Sequence, residues 1–171
     1  GHQVRRIPAC AQLPCVTKFG MASLLPEANI KLRFEMKGSD LLPIYNDKDV
    51  STRKARLEIF EATLNHRVST NNLKEFISAT KTKRGRDTFS KKTENADLLV
   101  LTSVELDSLG EGSHTNDLQY IPDVMRDLHL AISRCADLGY DTAIIGTDHG
   151  FVWIEDSDTG SLCDAPPGEW P

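Results

Sequence analysis

Asp97-Leu-Leu-Val-Leu-Thr-Ser103 and Thr142-Ala-Ile-Ile-Gly-Thr147, separated by a long amphipathic segment, are the stretches that decide the fold class. Each is a short, continuous apolar run, the pattern of a strand buried on both faces. Between them, from Asp117 to Leu138, Leu118, Ile121, Val124, Met125, Leu128, Ile132, Cys135 and Leu138 recur at helical spacing. Pro122 is tolerated only in a first turn, which places the helix start near Ile121, and Gly139 supplies its stop. Strand, helix and strand at this length predict a right-handed βαβ unit with parallel strands, hence an α/β domain. Phe151-Val-Trp-Ile154 is positioned to continue as a further strand after a turn.

Working toward the N-terminus, Val50-Ser51-Thr52 opens a predicted helix reaching about Leu64, and Thr70 is placed to cap a shorter one through Ala79. Residues 80–94 are polar, basic and poor in apolar side chains, so a mobile basic loop is expected there. Within it, Lys81-Thr-Lys-Arg-Gly-Arg86 and Lys91-Lys92 run against the chain's overall balance of 20 basic and 25 acidic residues, a net charge of −5. That balance gives nucleic-acid binding no general support, and the basic segment is either a solvated loop or a contact for an anion or for nucleic acid. A length of 171 residues suits one domain that buries its own core. No apolar run approaches the ~20 residues of a bilayer span. Four scattered cysteines without a CxxC pair predict a reducing, cytoplasmic setting.

Ligands in open α/β sheets gather at the carboxyl ends of parallel strands. The first apolar run is followed by Glu105-Leu-Asp107-Ser-Leu-Gly-Glu111, where Asp107 and Glu111 share a helical face if that turn is helical. The second is followed by Asp148-His149-Gly150, a carboxylate and an imidazole suited to Zn²⁺ or Mn²⁺, or else a plain strand cap. Near the N-terminus, extended Leu13-Pro-Cys-Val leads into Thr17-Lys-Phe-Gly20-Met-Ala-Ser-Leu-Leu25, an apolar, helix-prone stretch. Thr17 is therefore either a helix N-cap or a nucleophile activated by metal. Cys15 competes for the nucleophilic role, but no histidine is near it in sequence, and a packing role is expected.

Pro14-Cys-Val-Thr17 leading into Gly20-Met-Ala-Ser-Leu-Leu-Pro26, then Glu105-Leu-Asp107-Ser-Leu-Gly-Glu111, then Gly146-Thr-Asp148-His149-Gly-Phe151, in that order, resemble the PglZ domain of the alkaline phosphatase superfamily. The resemblance runs from about Ala11 to Ile154. It implies a three-layer core with a mostly parallel sheet between helices, incomplete at both ends, and metal-dependent hydrolysis or transfer of phosphate or sulfate esters. It implies that Thr17 is the nucleophile, that Asp148 and His149 bind the metal that activates it, and that Asp107 and Glu111 bind a second metal. Glu111 stands where the wider superfamily has histidine, which shifts that site toward oxygen-preferring ions. It further implies a role in bacterial phage resistance beside methyltransferase and ATPase partners.

Two positions of the superfamily pattern have no match. No Asp or Glu occurs before Pro14, where an early strand would supply a ligand, and no His follows His149. The expectation is a piece of a longer protein, with a non-catalytic interaction module of the same fold as the alternative. His114 and His129 are the remaining histidines near the acidic block, and neither is expected to replace a missing ligand.

Overall fold

The computed structural model describes residues 3–63, 65, 67–111 and 119–150. The architecture is mixed α/β with a small parallel sheet and helices. The chain divides into two compact units. Among the described residues, the first holds those up to Arg56 together with 146–150, and the second holds those from Leu57 to Ile145.

The first unit is built from α1 (Thr17–Ser23), α2 (Ala28–Lys31) and an antiparallel sheet of β1 (Leu32–Lys37), β2 (Asp40–Tyr45) and β3 (Lys48–Asp49). β1 pairs with β2 from Leu32 opposite Tyr45 to Lys37 opposite Asp40. Gly38, at φ +67°, turns the first connection. Asn46 and Asp47 turn the second, both with positive φ, as a two-residue hairpin loop of the primed type demands. The core gathers Phe19, Ala22, Leu25, Pro43, Tyr45 and Val50. Phe19 meets Phe34 edge-on at 5.1 Å, and the Tyr45 hydroxyl donates to the Pro26 carbonyl at 2.8 Å, so the buried phenol keeps a partner.

The second unit contains β4 (Val68–Asn72), α4 (Leu73–Ala79), α5 (Lys83–Lys92), β5 (Leu98–Thr102), α6 (Glu105–Glu111) and α7 (Ile121–Asp137). α3 (Arg53–Thr63) is divided at Arg56 between the units. β4 and β5 pair in parallel, Val68 opposite Leu98 through Asn72 opposite Thr102, so α4 and α5 form the crossover of a βαβ unit. Leu73, Phe76, Phe89 and Ala131 form the core, with Leu99, Leu101, Cys135 and Leu138 packed against it. Phe76 and Phe89 stack edge-to-face at 5.1 Å. α7 ends as its sequence predicts: Gly139 at φ +93° lets its N–H reach Ala136 O while Tyr140 N–H reaches Cys135 O, closing a Schellman motif.

Three expectations are corrected. Residues 142–147 form no strand, and Ile144 and Ile145 are 92% and 60% exposed. An apolar run becomes a strand only when a neighbour satisfies its backbone, and β5 finds that neighbour in β4 instead. Thr70 lies inside β4 and caps nothing. The cap of α4 is Asn72, whose side chain accepts from Lys74 N–H at 2.9 Å. Residues 83–92, expected to be loop, are helical. Thr82 accepts from Gly85 N–H at 3.0 Å to start α5, and burial of Phe89 fixes its inner face. The expected strand at 151–154 lies outside the described residues.

Candidate functional site

Val16, in extended conformation (φ −119°, ψ 140°), is the cap residue of α1, and Thr17 is its first helical residue. Thr17 is thus not the N-cap of α1. Phe19, Gly20 and Ala22 bury the face of α1 that follows. One turn along from Thr17, Gly20 is where the chain returns. A Cβ built on Gly20 falls 2.5 Å from the Asp148 carbonyl oxygen and 2.8 Å from the Asp148 Cβ. A Cβ on Gly146 falls 3.6 Å from a Leu24 methyl. Residues 146–148 therefore run along α1 from its C-terminal end toward Thr17, and only a residue without a side chain at position 20 allows that approach.

The two donors of the Asp-His pair face one another. His149 Nε2 is 3.6 Å from Asp148 Oδ2, with the side chains 7% and 14% exposed. Two ligands about 2.1 Å from a tetrahedral ion stand roughly 3.4 Å apart, so this separation fits a carboxylate and a neutral imidazole sharing one Zn²⁺-type ion. The donor set present suits such an ion but is partial. Among the described residues, no group of three or more His, Cys, Asp or Glu side chains converges.

One cation, Arg56, lies within the electrostatic reach of Asp148. The half-buried Arg56 donates from one guanidinium nitrogen to the carbonyls of Val50 at 3.0 Å and Ser51 at 2.6 Å. Burial pushes its pKa down from the ordinary arginine value, the Asp148 charge opposes that, and Arg53 adds to it. Asp49, which accepts from both the hydroxyl and the N–H of Ser51, is held below the ordinary carboxylate value by those bonds, with Lys37 and Lys18 contributing. Sequence reasoning missed Gly20 and Arg56. A glycine inside an apolar helical stretch is itself a signal of close backbone approach. Arg56 carries no local signal, because it is one of several charged residues on α3.

Asp107 and Glu111 fall in the second unit, on α6, four residues apart as the helical expectation required. Asp107 is half-buried, and the side chain of Glu111 lies outside the described residues. At the head of α6, Glu105 accepts from the Ser103 hydroxyl and pairs with Lys74 at 3.2 Å. Burial presses its carboxyl upward, but these bonds outweigh it and hold the pKa below the ordinary glutamate value. Cys15 is half-buried and free, and His129 is exposed on α7. His114 lies outside the described residues. A shallow hollow of about 360 Å³ in the second unit is lined by Lys83, Arg86, Asp87, Ser90, Asp137 and Leu138. Within it Asp137 stands 4.0 Å from Arg86, and it also lies 3.5 Å from Arg134. No helix among the described residues is long and apolar enough to cross a membrane. Comparison with protein-family models, with curated proteins and with solved structures gives no match for this chain.

Proposed function

We propose that the chain is a PglZ-type domain of the alkaline phosphatase superfamily, with Thr17 as the nucleophile of a metal-dependent phosphoester or phosphodiester hydrolase or transferase. The observation that carries the reading is the return of Asp148 against Gly20, one helical turn from Thr17. Residues far apart in sequence, picked out by the motif order, thereby belong to one compact unit. The 3.6 Å separation of His149 Nε2 and Asp148 Oδ2 suits shared coordination.

A bound divalent ion supplies Lewis acidity, lowering the pKa of a coordinated hydroxyl and neutralising charge on a phosphoryl group. Each side chain then has a defined task. Thr17 presents its hydroxyl from the first position of α1, where the rigid helix fixes its direction. Asp148 and His149 hold the ion, and Gly20 keeps their segment seated. Asp107 and Glu111 are assigned to a second ion by the resemblance. The three-layer core, a cytoplasmic setting and a place in phage resistance beside methyltransferase and ATPase partners belong to the same proposal.

The test is calorimetric titration of the 171-residue chain with Zn²⁺ or Mn²⁺, followed by hydrolysis of an aryl phosphate. Because the early acidic ligand and the late histidine of the superfamily pattern have no match in the sequence, weak binding and slow turnover are expected. Asp148→Asn and His149→Ala should each weaken metal binding at least about tenfold, equivalent to 1.4 kcal/mol. Thr17→Ala should leave metal binding in place and abolish turnover, with Thr17→Ser restoring part of it. Metal binding indifferent to both ligand substitutions, or turnover surviving Thr17→Ala, overturns the proposal.

A further inference from the structure

α5 turns Phe89 inward, keeps Gly85 and Arg86 half-buried and is followed by buried Thr93, while its other residues are exposed. On that outer side stand Lys83, Arg84, Lys91 and Lys92, with Lys81 in the turn that precedes the helix. Among the described residues none of these five side chains has an acidic partner. Arg86, nearer the inner face, is already tied to the Thr80 carbonyl and Asp137. Arg84, Thr88 and Lys91, spaced four and three residues apart, form one line along the helix, with Lys92 beside it. The only carboxylate on the helix is Asp87.

We propose that this face of α5 docks the phosphate backbone of double-stranded nucleic acid without regard to sequence. Three features select that partner. The exposed face carries no aromatic side chain, since Phe89 is committed to Phe76, so bases of a single strand find no stacking platform. It carries no exposed apolar residue, so neither a protein hot spot nor a membrane-lying helix has an anchor there. What it presents instead is a line of exposed cations, the side chains that most often meet phosphate oxygens, while the Thr88 hydroxyl in that line already donates to the Arg84 carbonyl at 2.9 Å. From Lys83 to Lys92 the helix rises about 13.5 Å, and a duplex of that length carries about eight charges, enough for every cation to find one. The chain's net charge of −5 does not cancel this local field, because at physiological salt charges act over about 8 Å.

The test is fluorescence anisotropy of a labelled 20-base-pair duplex of arbitrary sequence with the 171-residue chain. If four phosphates are neutralised, the logarithmic salt slope is about −3.6, and binding weakens about 150-fold between 50 and 200 mM NaCl. Arg84→Gln, Lys91→Gln and Lys92→Gln together should reduce the slope by about 2.7, with unchanged circular dichroism. The single change Lys91→Gln should reduce it by about 0.9, giving a readout even if the triple variant folds poorly. Lys37→Gln with Lys48→Gln, exposed cations of the first unit, should leave binding as it was. The proposal is overturned if no saturable binding occurs at 50 mM NaCl or if the triple variant binds like the parent. It is equally overturned if oligo(dT) or poly-glutamate binds more tightly than the duplex.

Discussion

Replacing Gly20 with alanine separates two opposed effects, and the structure decides which wins. Alanine in a helix interior is favoured over glycine by about 1 kcal/mol, because glycine loses more backbone freedom on folding. At this position, however, the new methyl meets backbone rather than a yielding side-chain tip, at 2.5 Å from the Asp148 carbonyl oxygen and 2.9 Å from its carbonyl carbon. To restore an ordinary contact of 3.4 Å, the 146–149 segment has to recede by about 0.9 Å. Overpacking of that kind costs about 1–3 kcal/mol. The net expectation for Gly20→Ala is therefore a loss of up to about 2 kcal/mol, near 4–8 °C in melting temperature for a chain of this size. Gly20→Val, with more volume and a poorer helix former, should lose more.

The internal control is Gly146→Ala on the same segment. There the nearest atoms are Leu24 methyls at 3.6 and 3.7 Å, an ordinary contact, so stability should change by no more than about 0.5 kcal/mol. The assay is urea unfolding followed by circular dichroism, with amide exchange at residues 146–149 as a local readout. Gly20→Ala should raise exchange there more than at Tyr45 or Val50, which lie in the core of the same unit. A gain of about 1 kcal/mol, the helix-propensity term alone, would show that Asp148 does not rest on α1 and would remove the support for the proposed site.

Two further outcomes are expected. Phe76, fully buried against Phe89, should cost about 3–5 kcal/mol when replaced by alanine, and thermal melting should show the loss of the βαβ core. Asp49 has a folded-state pKa held below its ordinary 3.8 by the two Ser51 bonds, so the stabilisation it brings is present above that value and disappears as pH falls through the folded pKa. Urea midpoints measured from pH 6 down to pH 2 should accordingly fall more steeply for the parent than for Asp49→Asn. Parallel curves would show that the Ser51 bonds do not bias ionisation.

What the sequence made legible follows from whether a signal was local. α7 was readable from its periodicity, from Pro122 at its start and from Gly139 at its end, because each acts within one turn of itself. β5 was equally plain. The run at 142–147 has the same apolar character, yet β5 is a strand and 142–147 is not. The difference is absent from both segments. It lies in Val68-Ser-Thr-Asn-Asn72, whose polar residues read as a helix cap but whose backbone pairs with β5 in register. Strand formation is a property of pairs, and β propensity describes fit to a half-buried surface rather than an intrinsic preference. α5 shows the converse. Its charges resemble a solvated loop, and its helicity rests on one capping threonine, Thr82, just before the helix and one buried phenylalanine within it.

The same distinction explains how the candidate site could be drawn from sequence while part of its support could not. Thr17, Asp148 and His149 are proposed from residue type and order, and the chemistry proposed for them is carried by the side chains themselves. The approach of Asp148 to α1 depends on Gly20, which contributes no functional group and matters only because the Asp148 backbone occupies the space its side chain would need. Arg56 is similar: an ordinary surface cation in sequence, it is drawn into the first unit by two backbone carbonyls and comes under the influence of the Asp148 charge. Residues that perform chemistry can be named from their composition and spacing. Residues that position them are defined by what they must not obstruct, so Gly20→Ala tests the site more directly than removal of any of its donors.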